Sequence, residues 1–127
     1  MAVEEAMELC GVAHLERTRV GSLSTGQRRL VELARCLAGD FDILLLDEPS
    51  SGLDNEETRR FAEVLRHVVA VRGCGMLLVE HDMELVMGNC EYIYLMDFGK
   101  PLFEGSPSEV LESQVVRAAY LEMDAAV

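Results

Sequence analysis

Asp47 and Glu48 are adjacent acids that close the apolar run Ile43-Leu44-Leu45-Leu46 and stand just before Pro49. A continuous apolar run halted by a breaker reads as a fully buried strand of a parallel sheet. Ligands of open α/β sheets bind beyond the carboxyl ends of the strands. Two acids at that end suggest a metal ligand and a base. Turn formation is the purely structural alternative for such a pair. A second apolar run, Met76-Leu77-Leu78-Val79, ends in Glu80-His81-Asp82. Strand, helix, strand makes a βαβ unit with an expected right-handed crossover. That unit brings His81 to the sheet edge that carries Asp47 and Glu48. Upstream lies Leu23-Ser24-Thr25-Gly26-Gln27. Ser24 and Gln27 have capping-box spacing. Gly26 costs up to about 1 kcal/mol in a helix interior and less near its start, so its use there is close backbone approach to a ligand. The free N–H groups of such a helix start bind phosphate.

The surrounding elements follow from periodicity and punctuation. Residues 2–10 read as a short helix that stops near Gly11, and residues 11–22 are irregular. After Ser24, the residues Leu30, Val31, Leu33, Ala34, Leu37 and Ala38 recur at helical spacing until Gly39. Ser50 to Asp54 is a polar loop, and Asp54 with Glu57 forms a second capping box for a helix over 55–72. Phe61, Val64, Leu65, Val68 and Val69 make its buried face, and Gly73 stops it. A short helix over 83–87 closes at Gly88, and a third strand over 92–96 turns at Asp97-Phe98-Gly99-Lys100 into an edge hairpin through Glu104. Ser106-Pro107-Ser108-Glu109 opens another capped helix. The tail over 114–122 is weakly helical, and 123–127 are expected to fray.

The chain has 127 residues, half of them hydrophobic, and a formal net charge of -12. This is the composition of one globular domain. The acidic balance argues against a nucleic-acid binder, which needs clustered Lys and Arg to neutralise phosphates. Arg28-Arg29 and Arg59-Arg60 read as solvated helix faces. No apolar run approaches the roughly 20 residues of a spanning helix, and the acidic start lacks the basic region of a secretory signal. Cys10, Cys36, Cys74 and Cys90 form no CxxC pair and read as small buried hydrophobes in a reducing compartment. Met76, Met83, Met87 and Met96 read as core filler, and His14 and His67 as ordinary histidines without convergent partners. Asp97-Phe98-Gly99 imitates a kinase metal motif, but no HRD or kinase lysine motif accompanies it, so a hairpin turn is the better reading.

Leu23-Ser24-Thr25-Gly26-Gln27 resembles the signature motif of ABC-type ATPases, usually LSGGQ. Ile43–Pro49 resembles their Walker B strand with its catalytic glutamate, Ser51-Gly52-Leu53-Asp54 their D-loop, and His81 their switch histidine. The run Glu80–Gly88 and the tail ending Ala119-Tyr120-Leu121 are most similar to the branched-chain amino acid importer subfamily. The resemblance implies a partial P-loop NTPase fold of the α/β class. Its sheet is mostly parallel with flanking helices and a small edge hairpin. The chain would be one partial nucleotide-binding domain, with residues 1–38 ending its helical subdomain and residues 39–127 belonging to its catalytic core.

The resemblance also implies roles. Asp47 would hold Mg²⁺ through water, Glu48 would orient or deprotonate the attacking water, and His81 would contact the γ-phosphate of ATP. Ser24, Thr25, Gly26 and Gln27 would face ATP bound on a second nucleotide-binding subunit. Asp54 would cross that interface and couple the two sites. Thr25 departs from the commoner glycine. Further partners would be membrane-spanning permease subunits, with the protein peripheral on the cytoplasmic face of the membrane and no nucleic acid involved. The phosphate-cradling GxxxxGK[ST] loop is missing: Gly21 and Gly26 have its glycine spacing, but Gln27 and Arg28 follow. Residues 1–22 offer no glutamine loop or adenine-stacking aromatic. The chain alone is therefore expected to be inactive as an ATPase. Two rival expectations are a non-catalytic module that lends its signature to a partner's P-loop, and a truncated fragment.

Overall fold

The computed structural model describes residues 1–121. Two compact units divide the chain, Met1–Asn89 and Cys90–Val127. Residue 122 of the expected tail helix and the expected fraying of 123–127 lie outside the described residues.

The first unit opens with α1 (Val3–Leu9), which ends at Cys10 and Gly11, the latter with φ 70°. The stretch expected to be irregular contains two short 3-10 turns, Ala13–Leu15 and Val20–Ser22. Helix α2 (Thr25–Leu37) starts on the Ser24–Gln27 capping box, with both reciprocal bonds formed at 3.1 and 3.0 Å. Strand β1 (Ile43–Asp47) leads to α3 (Asn55–Arg72), which Gly73 ends in the left-handed region at φ 67°. Strand β2 (Gly75–Val79) follows, then α4 (Met83–Asn89). Helix α4 runs through Gly88 rather than stopping there. Arg66 donates to the Gly88 carbonyl at 3.4 Å, and a Cβ at Gly88 would lie 3.3 Å from its guanidinium. Gly88 thus leaves room for a neighbour instead of breaking the helix.

Strands β1 and β2 pair in parallel, Ile43 opposite Gly75 and Asp47 opposite Val79. One face of the pair supplies Leu44, Leu46, Met76 and Leu78 to a core shared with Ala6, Leu33, Leu37, Phe61, Leu65 and Val68. The other face is bare: Ile43 is 62% exposed, Leu45 69%, Leu77 57% and Val79 53%. The full burial expected for β1 is therefore realised on one side only. Its residues are apolar on both sides, but among the described residues only one side has a covering layer.

In the second unit β3 (Ile93–Asp97) and β4 (Lys100–Gly105) form the expected antiparallel hairpin, as a sheet of their own. Phe98 and Gly99 hold φ of 47° and 74° at its turn, the backbone that a two-residue hairpin connection requires. Helix α5 (Pro107–Glu112) carries the Ser106–Glu109 capping box, and α6 (Gln114–Val116) passes into a wide helical turn over Arg117–Leu121. Met96 is exposed rather than core filler, because strand alternation turns it away from Ile93 and Leu95. Cys36 is exposed, whereas Cys10 and Cys74 are buried; burial pushes the Cys10 thiol up to about 12.

Candidate active site

The parallel register alone brings the ends of β1 and β2 level, and the loops that follow are tied together there. The Glu48 amide donates to the Val79 carbonyl at 2.7 Å, one bond beyond the strand pairing. The Ser51 amide then donates back to the Glu48 carbonyl at 3.1 Å, which tightens the chain into a turn. Glu48 itself sits at φ 46°, in the left-handed region that a side chain disfavours. Such strain costs on the order of 1–3 kcal/mol and persists where the surroundings over-determine it.

That turn presents Glu48 outward. Its carboxylate is about half exposed, and its Oε1 lies 3.5 Å from His81 Nδ1. Asp47, the preceding residue, ends β1 and is exposed. The expected convergence of Asp47, Glu48 and His81 on one sheet edge is thus what the strand register produces.

Glu80 is the group that sequence reading passed over. Its side chain has no solvent exposure. Oε1 accepts from the Ser50 amide at 2.8 Å, and Oε2 accepts from the amides of His81 at 3.0 Å and Asp82 at 3.2 Å. Burial pushes this carboxyl up, but the hydrogen bonds from Ser50, Asp82 and His81 outweigh it and hold the group below the ordinary glutamate range. The sequence offered only its place beside His81; the Ser50 partner lies 30 residues away.

The signature-like segment sits beside the loop after β1. Arg29 donates to the Ser51 carbonyl at 3.1 Å and pairs with Glu32 at 3.1 Å. It therefore pins the loop to α2 rather than lying on a merely solvated face. Arg28 bonds the Leu23 carbonyl at 3.2 Å. Asp54 caps α3 by accepting from the Glu57 amide at 2.8 Å, but the reciprocal half of the expected capping box is not formed. The Glu57 side chain turns instead toward Gly26. A Cβ placed on Gly26 would meet Glu57 Oε2 at 2.6 Å. The space that the missing side chain leaves at Gly26 is thus filled from within the chain. Glu57 Oε2 is shielded from solvent without a hydrogen-bond partner. Burial, then the neighbouring Asp54 carboxyl, raise the Glu57 pKa, and the Gly26 backbone opposes them. Ser24 and Thr25 remain exposed, while Gly26 and Gln27 are half-buried.

Among the described residues no three His, Cys, Asp or Glu side chains converge as a closed metal site. An exposed hard oxygen donor at the end of β1, Asp47, suits a cation that keeps water and phosphate oxygens as its other ligands. Mg²⁺ is such an ion, so the donor fits it. No helix among the described residues is long and apolar enough to cross a membrane.

Comparison with known proteins agrees with this geometry. Residues 1–51 match the ABC transporter family model. Over 115 residues, 91% of the chain, it is 36% identical to the high-affinity branched-chain amino acid transport ATP-binding protein LivG of Salmonella typhimurium, of which it covers 45%. It is 40% identical over 107 residues, 84% of the chain, to the lipopolysaccharide export system ATP-binding protein LptB of Acidithiobacillus ferridurans, covering 44% of that protein. The chain thus spans about half the length of the curated relatives it matches. Among solved structures, the ADP conformation of MJ1267, an ATP-binding cassette of an ABC transporter, superposes with a TM-score of 0.79 at 26% identity, covering 94% of this chain and 48% of that one. With its parallel strands, flanking helices and separate hairpin, the chain has the fold of part of an ABC ATPase domain and is similar over most of its length to ABC transporter ATP-binding proteins.

Proposed function

We propose that this chain supplies the hydrolytic edge of an ATP-driven ABC importer, with a branched-chain amino acid as cargo. The observation that carries the hydrolytic reading is the approach of Glu48 to His81 at 3.5 Å beside Asp47. The cargo rests on the LivG relative and on the stretch Glu80–Gly88; the LptB relative marks export of lipopolysaccharide as the competing cargo.

In this reading Asp47 would hold Mg²⁺, which when bound would neutralise charge on the phosphates of ATP. Glu48 orients a water and accepts its proton at a carboxylate oxygen. His81 lies beside Glu48 and would donate a hydrogen bond to a phosphate oxygen of the nucleotide. Ser24, Thr25, Gly26 and Gln27 complete a second subunit's nucleotide site once the Glu57 carboxylate moves off Gly26, and Asp54 links the two sites. The partners are that second subunit and a membrane permease at the cytoplasmic face.

The phosphate loop has no counterpart in residues 1–121, so the bare chain is expected not to bind MgATP tightly. Isothermal titration checks this, and micromolar binding would contradict it. A chimera carrying the missing portion of LivG ahead of residue 1 should bind MgATP and hydrolyse it. Glu48→Gln in that chimera should keep binding while turnover falls by about 100-fold or more. Undiminished turnover would remove Glu48 from the role of base.

The exposure of Ser24 and Thr25 favours a second reading, a non-catalytic module that lends its signature to a partner's phosphate loop. Titrating the chain into a P-loop-bearing ATPase subunit tests it. A change in that subunit's turnover, lost in Ser24→Ala, supports the reading, and an unchanged rate counts against it.

A further inference from the structure

We propose that Glu80 is the positioning residue of the site. Its buried carboxylate clamps the loop after β1 to the loop after β2, and so fixes the distance between Glu48 and His81. The proposal rests on the hydrolytic reading for its purpose, but its geometry stands apart from that reading.

Three observations carry it. First, the Glu80 side chain is fully buried, yet both oxygens are used: Oε1 on the Ser50 amide, Oε2 on the His81 and Asp82 amides. A buried carboxylate is costly unless hydrogen bonds satisfy it, and these three N–H groups do so from two different loops. Second, Ser50 lies two residues beyond Glu48, whose φ of 46° must be held by its surroundings. The Ser51 to Glu48 and Glu48 to Val79 bonds hold one side of that turn. Glu80 holds the other side through Ser50. Third, His81 follows Glu80 directly, and its amide is bonded by the same carboxylate at 3.0 Å. The backbones that carry the two functional side chains therefore share one anchor. Glu80 makes no hydrogen bond to the Glu48 carboxylate, and its Oε2 stands 3.8 Å from His81 Nδ1, farther than Glu48 at 3.5 Å, so its hydrogen bonds act on the backbones that carry the two side chains.

The clamp makes a distinctive demand. All three contacts require an acceptor, and a glutamine of the same size cannot serve all three. Its carbonyl oxygen can keep either the Ser50 bond or the pair from His81 and Asp82, and its NH₂ group then faces the N–H on the other side. A residue that merely fills space would tolerate this change.

Amide hydrogen exchange on the full 127-residue chain tests the clamp, together with the nuclear Overhauser contact between the Glu48 and His81 side chains. In Glu80→Gln, exchange should accelerate about 10- to 100-fold, the loss of a charge-assisted hydrogen bond, on one side of the clamp, at Ser50 or at His81 and Asp82, according to which loop keeps the carbonyl oxygen. The Glu48–His81 contact should weaken. In Glu80→Ala all three amides should lose protection. Amides of α3 serve as the folding control, and if Glu80→Ala unfolds, the glutamine variant decides alone. Wild-type protection at Ser50, His81 and Asp82 alike in Glu80→Gln would overturn the proposal, as would an undiminished Glu48–His81 contact. Neither readout depends on ATP turnover, so failure of the clamp and failure of the ATPase reading are separable. In the LivG chimera, a slower rate in Glu80→Gln with unchanged MgATP affinity would add support, and an unchanged rate would count against the clamp as the source of site geometry.

Discussion

Glu48 holds a backbone conformation at φ 46° that glycine would adopt without strain. The same position carries the carboxylate nearest the His81 ring. Stability and chemistry therefore pull this residue in opposite directions. Glu48→Gly is expected to raise the free energy of unfolding by up to about 1 kcal/mol, read from urea denaturation. In the LivG chimera the same substitution should abolish turnover. A destabilised glycine variant would mean that the side chain, and not the strain, dominates at this site.

Two other glutamates set opposite responses to acid. The Glu80 carboxyl is held below its ordinary value, so the unfolded chain binds its proton more readily than the folded chain does. Its contribution is fully present above the ordinary glutamate value of about 4.3 and is lost as pH falls through the lowered folded value. Glu57 is raised, so its contribution is present below the ordinary value and is lost as pH rises through the raised folded one. Urea midpoints between pH 3 and 7 should show Glu80→Gln losing stability mainly at neutral pH and little in acid. Glu57→Gln should gain relative to wild type as pH rises. Equal shifts at every pH would show that neither titration is linked to folding. Asp54, Glu56 and the Gly26 amide are the groups that face Glu57; the capping-box spacing pointed to Asp54 but not to Gly26.

At the scale of elements, local grammar was legible where its partners are local. The capping boxes at Ser24 and Ser106 formed because each joins residues three apart. Gly11 and Gly73 end their helices at positive φ as their residue type suggests. The misreadings come from long-range packing. Gly88 looked like a stop but accommodates Arg66 of α3. Glu57 looked like half of a box but turns to α2. Arg29 looked solvated but holds the Ser51 carbonyl.

Arg72 belongs to the same class. From the last turn of α3 it donates to the carbonyls of Leu37 at 2.8 Å and Gly39 at 2.7 Å, and it stacks over the Phe41 ring at 4.6 Å. It thereby satisfies carbonyls at the end of α2 that have no helical partner. Arg72→Ala should cost about 1–3 kcal/mol in urea unfolding. Arg72→Lys should recover little of it, because a single ammonium cannot reproduce the planar fork and the stacking. Full recovery by lysine would reduce the contact to charge alone.

At the scale of the whole molecule, the parallel pairing and the convergence of Asp47, Glu48 and His81 were readable because strand direction and length dictate them. One-sided burial was not readable. A run apolar on both faces carries no mark of which face lacks a cover. Parallel strands are ordinarily covered on both faces, and an uncovered apolar face promotes association. Leu45→Lys and Leu77→Glu together should shift the chain toward monomer in light scattering, with the unfolding midpoint of the dilute protein little changed. Loss of the folded state in that variant would show that the face contributes to the core after all.

The bare face formed by Ile43, Leu45, Leu77 and Val79 has one more consequence. Whatever covers it binds only the folded chain, so folding and association become linked equilibria. A thermal midpoint for this chain is then a function of how much protein, or how much covering polypeptide, is in the tube. Two laboratories working at different concentrations would report different stabilities for one sequence, and both would be right.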